Sequence, residues 1–186
     1  EPEGTIEWFD ENGTLIDKGS GEYNKHGNDS WAYDQRGFDY IMRDQFGYNY
    51  ALKDKLFTTK DRDKFQRVIV KAAANDNYPF SYGGSGAHIR DAYVNHLSQI
   101  SDLRLDERST SSCIVYLNGD YWGVYEIREK VDDSDFTDYY YDQDELFPNS
   151  PQNIQYLKTW GVTWTEYGDP NAQPDWNALV AFVNAN

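Results

Sequence analysis

Three histidines, one cysteine and 32 acids are the side chains of this 186-residue chain best suited to chemistry, and their spacing decides which reactions are open. His26, His88 and His96 do not supply a His-Glu-x-x-His pair, and His88 and His96 stand about two helical turns apart, too far for joint ligation of zinc. They read as partly buried, hydrogen-bonded histidines. Cys113 lies in the apolar run Cys113-Ile114-Val115-Tyr116-Leu117 and reads as a buried, unreactive thiol. Asp132-Asp133-Ser134-Asp135 and Asp142-Gln143-Asp144-Glu145 lack the alternating ligands, central Gly and terminal Glu of a calcium loop. A solvated acidic face is one reading of them, a cation-dependent adhesion site another. No Gly-x-Ser-x-Gly elbow and no loop ending in Gly-Lys-Ser/Thr occurs. What remains is Gly83-Gly84-Ser85-Gly86 ahead of a predicted helix. There, free N–H groups and the positive helix end can hold an anion, or a flexible loop simply ends in a serine cap.

These groups need elements to position them. Thr5 to Phe9, the turn Asp10-Glu11-Asn12-Gly13 and Thr14 to Ile16 predict a hairpin that opens a sheet. From Arg36 to Arg43 the alternation sets Phe38, Tyr40 and Met42 on one face and Asp39, Ile41 and Arg43 on the other, a half-buried strand. Gln66 to Ala72 is β-branched and reads as a central strand, and the charged stretch Lys53 to Lys64 as a surface connection. Ile89, Tyr93, Leu97 and Ile100 form one apolar stripe of a helix from about Ser85 to Ile100, with Arg90, Asp91, Asn95 and Gln99 largely on the other side. Ser112 to Leu117, Asn118-Gly119 and Asp120 to Arg128 predict a second hairpin, because Asn-Gly supplies the positive φ angles of a type I′ turn. Beyond it come a short acidic helix around Tyr139-Tyr140-Tyr141, a mostly irregular Phe147 to Pro174, and a last helix with Asp175 as its N-cap.

Composition narrows the function classes. Aromatics make up 17% of the residues, ample ring area for a core despite a mean hydropathy of −0.86. Seventeen Lys and Arg against 32 acids give a net charge of −15, which disfavours nucleic acid as a partner. No apolar run approaches the ~20 residues that span a bilayer. Opening on Glu1 rather than Met, the chain is expected to be a processed or excised piece.

Three stretches together stop looking generic. The most specific is Tyr116 to Asp132, in which an apolar strand, Asn118-Gly119, an aromatic, Gly123-Val124-Tyr125 and Glu129-Lys130 follow in order. Upstream stand His26-Gly27-Asn28-Asp29-Ser30, Gln35-Arg36-Gly37-Phe38, Arg43 and Phe46-Gly47, and between them Val68 to Asp76 and His88-Ile89-Arg90-Asp91-Ala92. Together they resemble the CotH family of secreted, spore-coat-type kinases: the upstream motifs are similar to its glycine/serine turn and the strand that carries a basic residue, and the middle ones to its strand, polar loop and Arg-Asp helix start.

The resemblance implies an α+β fold, mainly an antiparallel sheet with a packed helix, like the N-terminal lobe and connecting region of an atypical protein kinase. Residues 1–132 would be the lobe and 133–186 an acidic, aromatic connection that starts a second lobe. It also implies Mg²⁺ and ATP as cofactors of the complete domain, Ser or Thr of an extracytoplasmic protein as acceptor, and a secreted or cell-surface location. Arg36 stands where the family usually has a strand lysine and becomes the nucleotide-phosphate residue; Gly84 and Ser85 of the glycine-rich loop are further nucleotide-binding candidates. Glu129 and Lys130 line the adenine or ribose edge, or form a surface ion pair. The acceptor-orienting and Mg²⁺-binding acids are not found in 133–186 and are expected beyond Asn186, so no metal residue is assigned and the chain alone is expected to be inactive. The alternative is a non-catalytic secreted module that contacts carbohydrate or a protein through Trp31, Tyr33, Trp160 and Trp164.

Overall fold

The computed structural model describes residues 2–47, 49–77, 86–103, 105, 107–131, 139–140 and 154–186. Among the described residues it is a mixed α/β structure with antiparallel sheets and two α-helices of more than two turns. In chain order come β1 (Glu3–Phe9), β2 (Leu15–Lys25), β3 (Phe38–Met42), β4 (Leu52–Lys53), β5 (Lys64–Phe65), β6 (Arg67–Lys71), α1 (Arg90–Ile100), β7 (Thr110–Leu117), β8 (Asp120–Glu129), β9 (Gln155–Trp160), β10 (Val162–Gly168) and α2 (Ala172–Ala185). Glu1–Lys130 and Val131–Asn186 are separate units.

In the first unit six strands form one antiparallel sheet in the order β1-β2-β3-β6-β8-β7. Both predicted hairpins are present, and Asn118 and Gly119 at the second turn have φ of 52° and 88°, the left-handed pair that a type I′ turn demands. Strand alternation then gives the sheet two faces. Phe38 opposes Val70, Tyr40 opposes Val68, and Val70 opposes Ile127. That face packs with Met42, Leu52, Leu56, Phe57 and Phe65 into the core, each large side chain contributing about 1.5–3 kcal/mol by leaving water. The buried Tyr40 hydroxyl donates to the carbonyls of Gly4 and Gly19, both at 3.1 Å, and so ties β1 and β2 to the core strand.

The stretch from Lys53 to Lys64 is not the surface connection its charges predict. Leu56, Phe57 and Arg62 are buried within it. Its cations are drawn inward by Glu129, which lies on the core face with no exposure. One carboxylate oxygen takes the Ser109 N–H at 2.9 Å and Lys60 Nζ at 3.4 Å, and the other takes Arg62 Nη1 at 3.4 Å. A charge buried this deeply is tolerable only when paired.

Helix α1 departs from expectation twice. It begins at Arg90, not near Ser85, and its apolar stripe faces outward: Ile89, Tyr93, Leu97 and Ile100 are between 39% and 65% exposed. The polar stripe Asp91, Asn95, Ser98 and Gln99 is the docked one. Asn95 accepts the Arg108 N–H at 3.0 Å, Ser98 donates to Glu107 at 3.0 Å, and Gln99 donates to the Ser109 hydroxyl at 3.1 Å. The sheet face and the connection beneath the helix are polar there, and unpaired buried polar groups would cost more than the helix gains by burying leucine.

In the second unit, β9 and β10 pair antiparallel about Gly161, whose φ is +77°, where irregular chain was expected. Helix α2 starts at Ala172, ahead of Asp175. Asp169 opens it by accepting the Asn171 N–H at 2.8 Å, and Pro174 is tolerated in the first turn, where intrahelical N–H bonds are missing anyway. The acidic segment 132–138 and residues 141–153 lie outside the described residues, among which no helix is long and apolar enough to cross a membrane.

Removing Glu129 leaves Arg62 buried beside an uncompensated hole. Glu129→Ala is expected to lose about 3 kcal/mol or more in urea unfolding, and a loss within about 0.5 kcal/mol would show that the buried triad is not structural.

Candidate functional site

The face of the sheet opposite the core carries charge. Asp39 opposes Ile69, Ile69 opposes Arg128, and Lys71 opposes Glu126, so these residues share one surface of β3, β6 and β8. Lys71 ends the β-branched run Val68-Ile69-Val70, and its Nζ pairs with Asp91 in the first turn of α1. Arg128 Nη1 reaches the same Asp91 oxygen at 3.0 Å, while its Nε and Nη2 hold Glu126 Oε2 at 3.0 and 2.6 Å. Arg128 and Glu126 are each 3% exposed, so this four-charge ladder is fixed at its strand end and open at its helix end.

Burial pushes the Asp91 carboxyl upward. The hydrogen bond from Lys71 and the charges of Arg128 and Lys71 outweigh it and bring the pKa down to about 2. At neutral pH Asp91 is therefore an anion that fixes the lysine.

A second cluster lies beside the first. Asp39 pairs with Lys130 Nζ at 2.8 Å and with His26 Nδ1 at 2.8 Å. Burial opposes its charge, and the hydrogen bonds and charges of His26 and Lys130 still lower its pKa.

Over Lys71 hangs the loop from His26 to Gly37. His26, Gly27, Ser30, Gln35 and Gly37 line a cleft of about 180 Å³ together with Lys71, Ala72 and Ala74. Two of its glycines have reasons to be glycine. Gly27 has φ of +95°, and a Cβ there would meet Ser30 Oγ at 2.1 Å; a Cβ at Gly37 would meet the Val70 carbonyl at 3.1 Å. Small residues, a hydroxyl and one lysine make a surface suited to an anion with several oxygens.

Of the residues singled out in the sequence, Arg36 is in this loop, but its Nε donates to the Tyr33 carbonyl at 3.2 Å and its guanidinium stacks on Trp31 at 5.4 Å. Gly84 and Ser85 lie outside the described residues. Glu129 and Lys130 point to opposite faces, Glu129 into the core triad and Lys130 to Asp39. Trp31 and Tyr33 are engaged within the first unit, through the His26 carbonyl at 2.7 Å and Asn75 at 2.6 Å. In the second unit Trp160 is 82% exposed, and Trp164 donates to Glu166. Cys113 is half-buried with its thiol pushed up to about 11 by burial, an unreactive group. Lys71 falls inside the strand read from Gln66 to Ala72 and Asp91 in the helix after it, and neither is a residue the sequence singles out for the site. Their signal was a lysine closing a Val-x-Val strand and an acid opening the next helix.

The depressed pKa of Asp91 has a sign. Its contribution to stability is complete above the ordinary aspartate range and is lost as the pH falls toward 2. The stability gap between wild type and Asp91→Asn, read from denaturation at successive pH values, is expected to be widest above pH ~5 and to close toward pH ~2. A gap that does not change with pH would deny the ion pair.

The family model described as CotH kinase protein matches residues 25–185. No curated protein and no solved structure matches the chain.

Proposed function

The chain belongs to the CotH kinase family, and from that membership we propose that the cleft under the 26–37 loop receives the phosphates of ATP for transfer to a protein hydroxyl. The observation that carries this reading is the Lys71–Asp91 pair between strand and helix. Protein kinases need a loop over the phosphates, a lysine on the strand beneath it, and a carboxylate on the following helix that holds the lysine. Here, with the short β4–β5 pair set apart from the large sheet, the order is β2, the 26–37 loop, β3, β6 with Lys71, α1 with Asp91, then β7 and β8. Val68-Ile69-Val70-Lys71 is also similar to the Val-Ala-Ile-Lys run on which that lysine sits.

In this reading Lys71, not Arg36, meets the phosphates. Asp91 keeps it aimed, and Arg128 anchored on Glu126 keeps Asp91 in place. The Ser30 hydroxyl adds a neutral donor. The acceptor is a Ser or Thr of an extracytoplasmic protein. Its oxygen bonds to the γ-phosphorus as the bond to ADP breaks, and its proton passes to a carboxylate outside the residues assigned here. Mg²⁺ neutralises the phosphate oxygens in such a transfer. Among the described residues no three His, Cys, Asp or Glu are grouped to hold a metal, so we assign it no ligand.

The test is a titration of the chain with ATP and Mg²⁺, followed by calorimetry or thermal shift. Lys71→Ala is expected to weaken binding at least about tenfold, the worth of one charge-assisted hydrogen bond, and Lys71→Arg to restore little of it, since the two cations differ in shape. Arg36→Ala should cost far less. Equal binding by wild type and Lys71→Ala, or a loss confined to Arg36→Ala, would move the phosphate site away from Lys71.

A further inference from the structure

Immediately after Lys71 the backbone does something unusual. Ala73 and Ala74 both have positive φ, 59° and 48°, in the left-handed region that residues with a Cβ seldom occupy, and two in succession are rarer still. Strain of this kind persists only where surrounding contacts hold it. It is followed by Asn75 and Asn77, which turn to one side, and Asp76, which turns to the other, each onto a different partner.

Asn75 Oδ1 accepts the Tyr33 hydroxyl at 2.6 Å. Asn77, 2% exposed, donates its Nδ2 to Gln35 Oε1 at 2.9 Å, and Gln35 Nε2 in turn donates to the Val124 carbonyl of β8 at 2.9 Å. Both contacts grip the 26–37 loop. Asp76 faces the other way. Its two oxygens accept the Ala87 N–H at 2.9 Å and the Arg90 N–H at 3.1 Å, and it pairs with Arg90 Nη1 at 3.1 Å. It is thus the cap of α1 supplied from a distant position in the chain, because Ile89 at the helix start has no side-chain oxygen to offer.

We propose that Asn75, Asp76 and Asn77 form a bracket of positioning residues through which the 26–37 loop and the start of helix α1 move as one. The proposal rests on the nucleotide reading for its purpose and on the hydrogen bonds alone for its mechanics. Helix α1 is docked by polar contacts with its apolar stripe outward, so it lacks the apolar anchor that would hold it independently of its cap. A phosphate drawn under the loop fixes Gln35 and Tyr33, which fixes Asn77 and Asn75. The same three-residue turn carries Asp76, so the first turn of α1 is set and Asp91 is presented to Lys71. Loop closure and lysine placement become one event.

Hydrogen exchange of backbone amides, resolved by residue, tests the bracket in the free chain and with ATP and Mg²⁺. Gln35 is the first variant because it is only half-buried. Gln35→Ala is expected to speed exchange at Ala87 and Arg90 by about tenfold with the unfolding midpoint little changed, an effect a local loop contact would not transmit. Gln35→Glu keeps the acceptor for Asn77 Nδ2 and should keep those two amides protected. ATP with Mg²⁺ should slow the same amides in the wild type, and do so several-fold less in Gln35→Ala. If Gln35→Ala speeds exchange in the loop while Ala87 and Arg90 stay as in wild type, the bracket is overturned whether or not nucleotide binds. Transmission to Ala87 and Arg90 in the free chain with no nucleotide effect on the wild type supports the bracket and overturns the nucleotide reading.

Discussion

The architecture of the first unit depends on a helix that docks by its polar side. Helix α1 meets the sheet through Asp91, Asn95, Ser98 and Gln99, and every one of those side chains finds a partner on the strands or on the connection into β7. Apolar packing is tolerant of small shifts, since it has no direction. Hydrogen bonds and ion pairs are not, because they weaken steeply with angle and distance. A helix held this way has a defined register and a modest hold, a combination suited to a part that must aim a carboxylate and still respond to what arrives beside it.

The two faces of the sheet divide the labour. Tyr40, Val68, Ile127 and the 52–65 segment supply hydrophobic stabilisation, and even the charge on that side, Glu129, is sealed by Arg62 and Lys60. On the other face Lys71, Asp91, Arg128 and Glu126 are arranged so that the strand end is buried and the helix end is open to solvent. Buried ion pairs are weak contributors to stability when their desolvation is counted, but they fix geometry. The triad around Glu129 joins the 60–62 segment to the end of β8, and the ladder around Asp91 fixes the angle at which the helix presents its acid. The same chemistry thus serves support in one place and aim in the other.

Much of this was legible in the residues. Alternation marked β3, a β-branched run marked β6, and Asn118-Gly119 marked the β7–β8 turn, because in each case the local signal and the fold agree. The failures are physical too. Periodicity in α1 shows which residues share a face but not which face is inward, and the answer here depends on the polar groups of strands far away in sequence. The charges from Lys53 to Lys64 read as surface because nothing local shows that Glu129 lies waiting in the core. Strand β10 alternates Val162 and Trp164 with Thr163 and Thr165, yet Pro151 and Pro170 flank the β9–β10 pair and made the whole stretch read as irregular. Arg36 was read through the family's strand lysine, and nothing local showed that its guanidinium stacks on Trp31 and donates to the Tyr33 carbonyl.

The most direct measurement is chemical. An acyl-phosphate derivative of ATP transfers its acyl group to whichever lysine amine lies at the phosphates, and mass spectrometry then locates the modified residue. The account predicts that Lys71 is acylated first and that excess ATP with Mg²⁺ suppresses it. Labelling led by Lys130 or Lys60, or labelling of Lys71 that ATP does not reduce, would contradict a phosphate site between strand β6 and helix α1.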